Sequence, residues 1–226
     1  MPPLAVPARN SLHRASVYVA CAATILTFTT LASQPLSGQS RVTGNVLSST
    51  GFPPATIRFD EALAYAGVRE FVLYGVANTT VHLFVGTDGR RVSRLYWVQF
   101  EGYLPGVDRT YDYSDAESRT PIAGATWFED AWLWNLADLN VRPGSDTDHV
   151  LAMLRERGLE LPPLVAGLRL VQLDASARRE LMIVYLEDVE LAGIARASMQ
   201  GSSRPGTVGA LRQRALSSMS IGPLRP

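Results

Sequence analysis

The chain contains no lysine: all 21 of its basic residues are arginine, which excludes lysine Schiff bases, a phosphate-loop lysine and a lysine general base. It has one cysteine, Cys21, inside an apolar segment near the N-terminus, so the rest of the chain has no disulfide, thiol nucleophile or thiolate metal ligand. After His13 only two histidines remain, His82 and His149, too few for a histidine-rich metal site. They leave a Ser-His-Asp triad two possible bases, but no G-x-S-x-G elbow supplies its nucleophile. A phosphate loop, a dinucleotide fingerprint and an H-E-x-x-H pair are likewise missing. Net charge is zero and no basic stripe stands out, so nucleic-acid binding is disfavoured.

What is present describes a folding chain. Apolar residues make up 46% and charged residues 19% of 226, enough for one core of ordinary size plus a leader. Residues 15–40 carry no formal charge, and the densest part, 16–32, reads SVYVACAATILTFTTLA after Arg9, His13 and Arg14. A positive flank, an apolar stretch and small residues are the order of a secretory signal, with cleavage expected after Ala32. The alternative is an uncleaved membrane anchor, although Thr24, Thr27, Thr29 and Thr30 dilute it as a lasting span. Cys21 sits in the middle of this run with Tyr18 three residues before it, which does not fit a lipoprotein signal.

Residues 33–54, rich in Ser, Gly, Thr and Pro, read as a linker or an extended lead-in strand, and a single domain is expected over 55–222. PATIRFD is a candidate strand, and EALAYAG a helical turn ended by Gly67. VREFVLYGV, TVHLFVGT and RVSRLYWVQFEGY are rich in β-branched and aromatic residues and predict a three-stranded meander, with Asp88-Gly89 as its second turn. A loop over 104–120 follows. FEDAWLWNLADLN has both helical spacing and strand alternation and is read as a helix. Residues 145–158 predict a helix with Ser145 and Asp148 as a capping box, stopped by Gly158 and two prolines. VAGLRLVQLD and ELMIVYLEDVEL predict a second hairpin, and VGALRQRALSSMSI a last amphipathic helix. The expected fold is α+β: an antiparallel sheet of about five or six strands covered by two amphipathic helices.

The strand from Arg94 to Tyr103 carries the candidate site. Alternation places Tyr96, Val98 and Phe100 on a core face and Trp97, Gln99, Glu101 and Tyr103 on the other. Flat aromatic walls with a few hydrogen-bonding groups suit an organic ligand, and Tyr111 and Tyr113 in the following loop extend that chemistry. The competing reading covers this face with a helix or with the loop, leaving Gln99 and Glu101 as satisfied structural groups paired with Arg94 or Arg109. His82 reads as a satisfied half-buried histidine. Asp146, Asp148 and His149 read as first-turn residues of a helix and not as metal ligands, because neighbours on a helix diverge.

Together these residues imply an exported, non-catalytic binding module. Its expected partner is a small molecule or an envelope protein, held by Trp97, Gln99, Glu101, Tyr103, Tyr111 and Tyr113, with no cofactor and no metal. A carboxylate-dependent hydrolase pairing Glu101 with Asp112 or Asp115 is one alternative. A structural or assembly protein held at the membrane by an uncleaved leader is the other.

Overall fold

The structure, a computed structural model, describes residues 39–200 and 203–223. The expected leader over 16–32, the expected cleavage after Ala32 and Cys21 lie outside the described residues.

Eleven strands and two α-helices are described. A small sheet has the order β1 (Ser40–Thr43), β2 (Val46–Ser49), β3 (Ala55–Phe59) and β11 (Met219–Pro223). The large sheet has seven strands. Its order is β4 (Ala64–Leu73), β5 (Ala77–Asp88), β6 (Arg91–Tyr103), β10 (Arg179–Asp188), β9 (Leu164–Leu173), β8 (Ala125–Asn135) and β7 (Ser118–Ile122). Every pairing in both sheets is antiparallel. Helix α1 (Asp146–Glu156) lies between β8 and β9 in the chain, and α2 (Arg204–Ser217) between β10 and β11. The α+β class with antiparallel sheet is therefore correct, while five or six strands undercounts the sheet structure.

The expected meander is β4-β5-β6, and Gly89 takes φ +59° in the turn after Asp88. The hairpin expected near the C-terminus is β9-β10, its turn held by the Asp174 carboxylate, which accepts from the backbone N–H of Arg178 and Arg179. Helix α1 begins as read: the Ser145 hydroxyl accepts from the Asp148 N–H at 3.1 Å, while the Asp148 carboxylate reaches back to the Gly144 N–H.

Four segments differ from expectation. Of EALAYAG, Glu61–Leu63 make a turn and Ala64–Gly67 start β4 instead of a helical turn, and Gly67, at φ +112°, sits in a β-bulge where a side chain would collide with Arg157. FEDAWLWNLADLN is not a helix: it forms most of β8, followed by a 3-10 turn at Leu136–Asp138. The strand wins because the segment is apolar on both sides, so Trp127 and Ala131 pack on one face of the sheet while Phe128, Trp132 and Trp134 pack on the other. Part of the stretch read as a linker is the β1-β2 hairpin, turned at Gly44 and paired onto β3. The last helix stops at Ser217, and Met219 belongs to β11, which pairs with β3.

The large sheet is covered on both faces. On its first face Phe84, Tyr96, Val98, Leu168, Ile183 and Tyr185 meet Leu47, Ile57 and Phe59 of the small sheet and Leu211 and Ala215 of α2. The rings of Phe59 and Phe84 stack at 3.9 Å. On the second face Val81, Leu83, Trp97, Met182 and Val184 meet Val150, Met153 and Leu154 of α1.

Candidate binding site

Period-2 alternation along β6 sends Trp97, Gln99 and Glu101 to the second face, where they form one chain of hydrogen bonds. The Trp97 indole N–H donates to Gln99 Oε1 at 2.9 Å, and Gln99 Nε2 donates to Glu101 Oε2 at 2.7 Å. Thr79 on β5 donates to the same carboxylate oxygen at 3.3 Å. From the loop after β6, the Tyr111 hydroxyl donates to Glu101 Oε1 at 2.8 Å, and its ring stacks on Tyr103 at 4.4 Å. The structure thus gathers Trp97, Gln99, Glu101, Tyr103 and Tyr111 into one network.

Tyr113 extends it to a residue that the sequence reading missed. Its hydroxyl donates at 2.8 Å to Glu180 of β10, and Glu180 is the direct cross-strand partner of Glu101. Directly opposed residues in an antiparallel pair share a face, with Cβ atoms about 5 Å apart. The carboxylate beside Glu101 is therefore Glu180. Asp112 and Asp115 are exposed loop residues, and Asp112 accepts from the Ser114 N–H. Arg94 and Arg109 are not the partners of Gln99 or Glu101: tyrosine, threonine and tryptophan side chains take that role. A signal for Glu180 was present in ELMIVYLED, where acidic residues at both ends, Glu180 and Asp188, sit in phase with Met182, Val184 and Leu186. Its register against Glu101, however, is a tertiary fact.

Both glutamates are withdrawn from water: Glu101 is 6% and Glu180 3% exposed. Burial disfavours the charged form, and the Glu101 charge adds to that effect on Glu180, whose carboxyl is pushed up to about 8. Glu101 is raised as well, chiefly by burial, against the opposing hydrogen bonds from Tyr111 and Gln99. Asp146, in the first turn of α1, is raised by burial despite its bond to the Thr147 N–H. The phenols of Tyr111 and Tyr113 are raised by burial and then by the neighbouring carboxylates, so they stay protonated as donors. Two other buried glutamates of the sheet are treated differently. Glu129 and Glu187, on the first face, each pair with an arginine of α2: Arg212 at 2.9 Å and Arg214 at 2.7 Å. On the second face the nearby guanidinium of Arg169 is bound to Asp130 at 2.5 Å and lies 5.1 Å over the Tyr113 ring.

The arrangement offers a carboxyl pair with no arginine bonded to it, framed by aromatic rings and closed by two phenols from one loop. Among the described residues no three His, Cys, Asp or Glu side chains converge to hold a metal ion, and no helix is long and apolar enough to cross a membrane. His149 stacks on Phe71 at 3.8 Å and does not join Asp146 or Asp148 in a cluster. Open grooves lie elsewhere, among them one of about 370 Å³ beside Arg91 and Asp188 and one of about 320 Å³ beside Arg204 and Arg212. The arginines of these two are already bonded to carboxylates. Compared with protein-family models, with curated proteins and with solved structures, the chain matches none.

Proposed function

We propose that the protein is an exported, non-catalytic binding module that takes a small molecule at the second face of its large sheet, under the loop over 104–117. The observation that carries this reading is the Glu101–Glu180 pair. Burying two carboxyls side by side without a bonded cation works against stability, and buried groups so perturbed collect at functional sites. A ligand that displaces the Tyr111 and Tyr113 hydroxyls must supply hydrogen-bond donors in their place. Trp97, Tyr103 and the two loop tyrosines give it apolar walls. Export rests on the uncharged apolar run over 16–32.

The reading is tested by thermal denaturation of the protein with a panel of small amines, sugars, lipids and peptides. At least one class is expected to raise the midpoint in the wild type and to lose that effect in Glu101→Gln. A panel with no effect on the wild type would reject the site. Cell fractionation tests export, which is wrong if the unprocessed chain is free in the cytoplasm.

The same pair favours one second reading, a carboxylate-dependent hydrolase in which Glu180, protonated at neutral pH, acts as acid and Glu101 as base. It predicts turnover of a glycoside or ester that both Glu180→Gln and Glu101→Gln abolish.

A further inference from the structure

His82 lies on the first face of the large sheet, on the other side from the glutamate pair, and both of its ring nitrogens are engaged by hydroxyls. Nε2 is 2.9 Å from Ser40 Oγ and Nδ1 is 3.1 Å from the Tyr65 hydroxyl. A hydroxyl on one ring nitrogen and an orienting group on the other is the arrangement that activates a serine. The imidazole is 3% exposed and meets the edge of the Phe100 ring at 85°, so its orientation is fixed. Ser40, in contrast, is half-buried at the start of β1, the edge strand of the small sheet.

We propose that Ser40 is an acyl-accepting nucleophile, with His82 as its general base and Tyr65 as the positioning residue that holds the imidazole, and that it reacts with esters of small acids bearing good leaving groups. This is a second activity, on the first face of the sheet; the non-catalytic reading belongs to the second-face site, of whose residues only Glu101 also borders the recess beside Ser40.

The backbone supports the assignment. The Thr50 N–H donates to the Gln39 carbonyl at 2.7 Å, which makes residues 39 and 50 a hydrogen-bonded pair. The next pair in the register, Ser40 with Ser49, is then of the non-bonded kind, whose N–H groups point away from the ladder. The N–H of Ser40 therefore faces the free edge of β1, where it can donate to a carbonyl oxygen as negative charge develops. Gln39, Ser49, Phe52, Phe100, Glu101 and Arg179 are among the residues lining a recess beside Ser40 of only about 10 Å³, room for a group the size of water or methyl, so the acyl group is small.

The proton inventory closes. Tyr65 is 37% exposed, so its hydroxyl hydrogen can go to water while its oxygen accepts Nδ1–H, which leaves the Nε2 lone pair for the Ser40 hydroxyl. Ser40 Oγ forms the new bond to the carbonyl carbon and its proton passes to Nε2. The bond from that carbon to the leaving oxygen breaks, and the leaving group departs with the proton from Nε2. Water then attacks the acyl-serine by the same route, releasing the acid and restoring the serine. Burial pushes His82 down to about 4, so the ring is neutral at physiological pH but a weak base, and a phenol supports the imidazolium less than a carboxylate would. Good leaving groups are required for that reason.

The test is acetylation of the full chain by p-nitrophenyl acetate, with the modified residue mapped by peptide mass spectrometry. One acetyl group is expected on Ser40 and none in Ser40→Ala. His82→Gln should slow labelling by about 100-fold or more, the low end of general-base effects. Tyr65→Phe should slow it less and shift its pH midpoint, whereas a purely structural role for Tyr65 would leave that midpoint in place. Should His82→Gln not fold, the wild-type pH profile decides: the rate is expected to be flat above about pH 6 and to fall as pH drops through about 4. No label on Ser40, a rate equal to that of other serines, or a rate rising steadily with hydroxide would overturn the proposal.

Discussion

The two faces of the large sheet are made by alternate residues of the same strands, yet they handle their buried glutamates in opposite ways. On the first face Glu129 and Glu187 each receive an arginine from α2, and around them Phe59, Phe84, Tyr96 and Tyr185 fill space. On the second face Glu101 and Glu180 receive neutral donors and stand opposite each other. The first arrangement serves stability: apolar surface is buried and each buried charge is compensated. The second costs stability, because a carboxyl without a bonded cation must remain protonated or be buried charged. Both faces are buried in apolar clusters, and the difference lies in how each compensates its glutamates.

The contrast can be broken most sharply on the packing side. Phe84→Ala removes a fully buried ring stacked on Phe59 and should cost about 3–5 kcal/mol, read as a lowered midpoint in urea unfolding. A change on the second face should run the other way. Glu180 is raised from 4.5 to about 8 in the folded protein, so its contribution to stability is fully present below about pH 4.5 and is lost as pH rises through about 8. Glu180→Gln should therefore leave stability nearly unchanged at pH 4.5 and raise it at pH 8.5. The gain there has an upper bound on the order of 5 kcal/mol, from a rise of 4.5 to about 8 at 1.36 kcal/mol per pH unit. Melting temperatures at the two pH values check this, and a wild type equally stable at both would refute it.

Smaller effects sharpen the same comparison. Tyr113→Phe removes the one hydroxyl that donates to Glu180 and should cost about 1–2 kcal/mol while pushing that carboxyl higher still, measured by denaturation and by carboxyl NMR titration. Ser145→Ala removes the N-cap of α1, the helix that covers this face, and should cost about 1 kcal/mol. If it lowers the melting temperature without altering the Glu180 titration, the helix covers the second face without setting its electrostatics.

Much of the candidate site was legible because it lies within one strand and the loop that follows. Trp97, Gln99, Glu101 and Tyr103 are spaced by two, and Tyr111 and Tyr113 follow at a distance that lets the loop fold back onto them. The placement of Glu180, Asp146 and Arg169 at the site was not legible, since each reaches it from an element distant in the chain. Among the secondary elements, the errors fell where two periodicities fit equally well. Phe128, Trp132 and Leu136 satisfy a helix as well as a strand, and only burial on both faces of a sheet selects the strand.

The amino-acid order alone determined the class of the fold, the β4-β5-β6 meander and its Asp88-Gly89 turn, the cap of α1, and the exclusion of lysine chemistry throughout and of thiol chemistry beyond residue 21. These depend on local spacing, local turn geometry or simple absence. Tertiary structure alone decided the split into sheets of seven and four strands, the strand state of β8, the placement of Glu180 against Glu101, and the approach of Ser40 and Tyr65 to His82. Each of these rests on a register between segments far apart in sequence. A strand's own residues fix which of them share a face, but only its neighbours fix what that face meets.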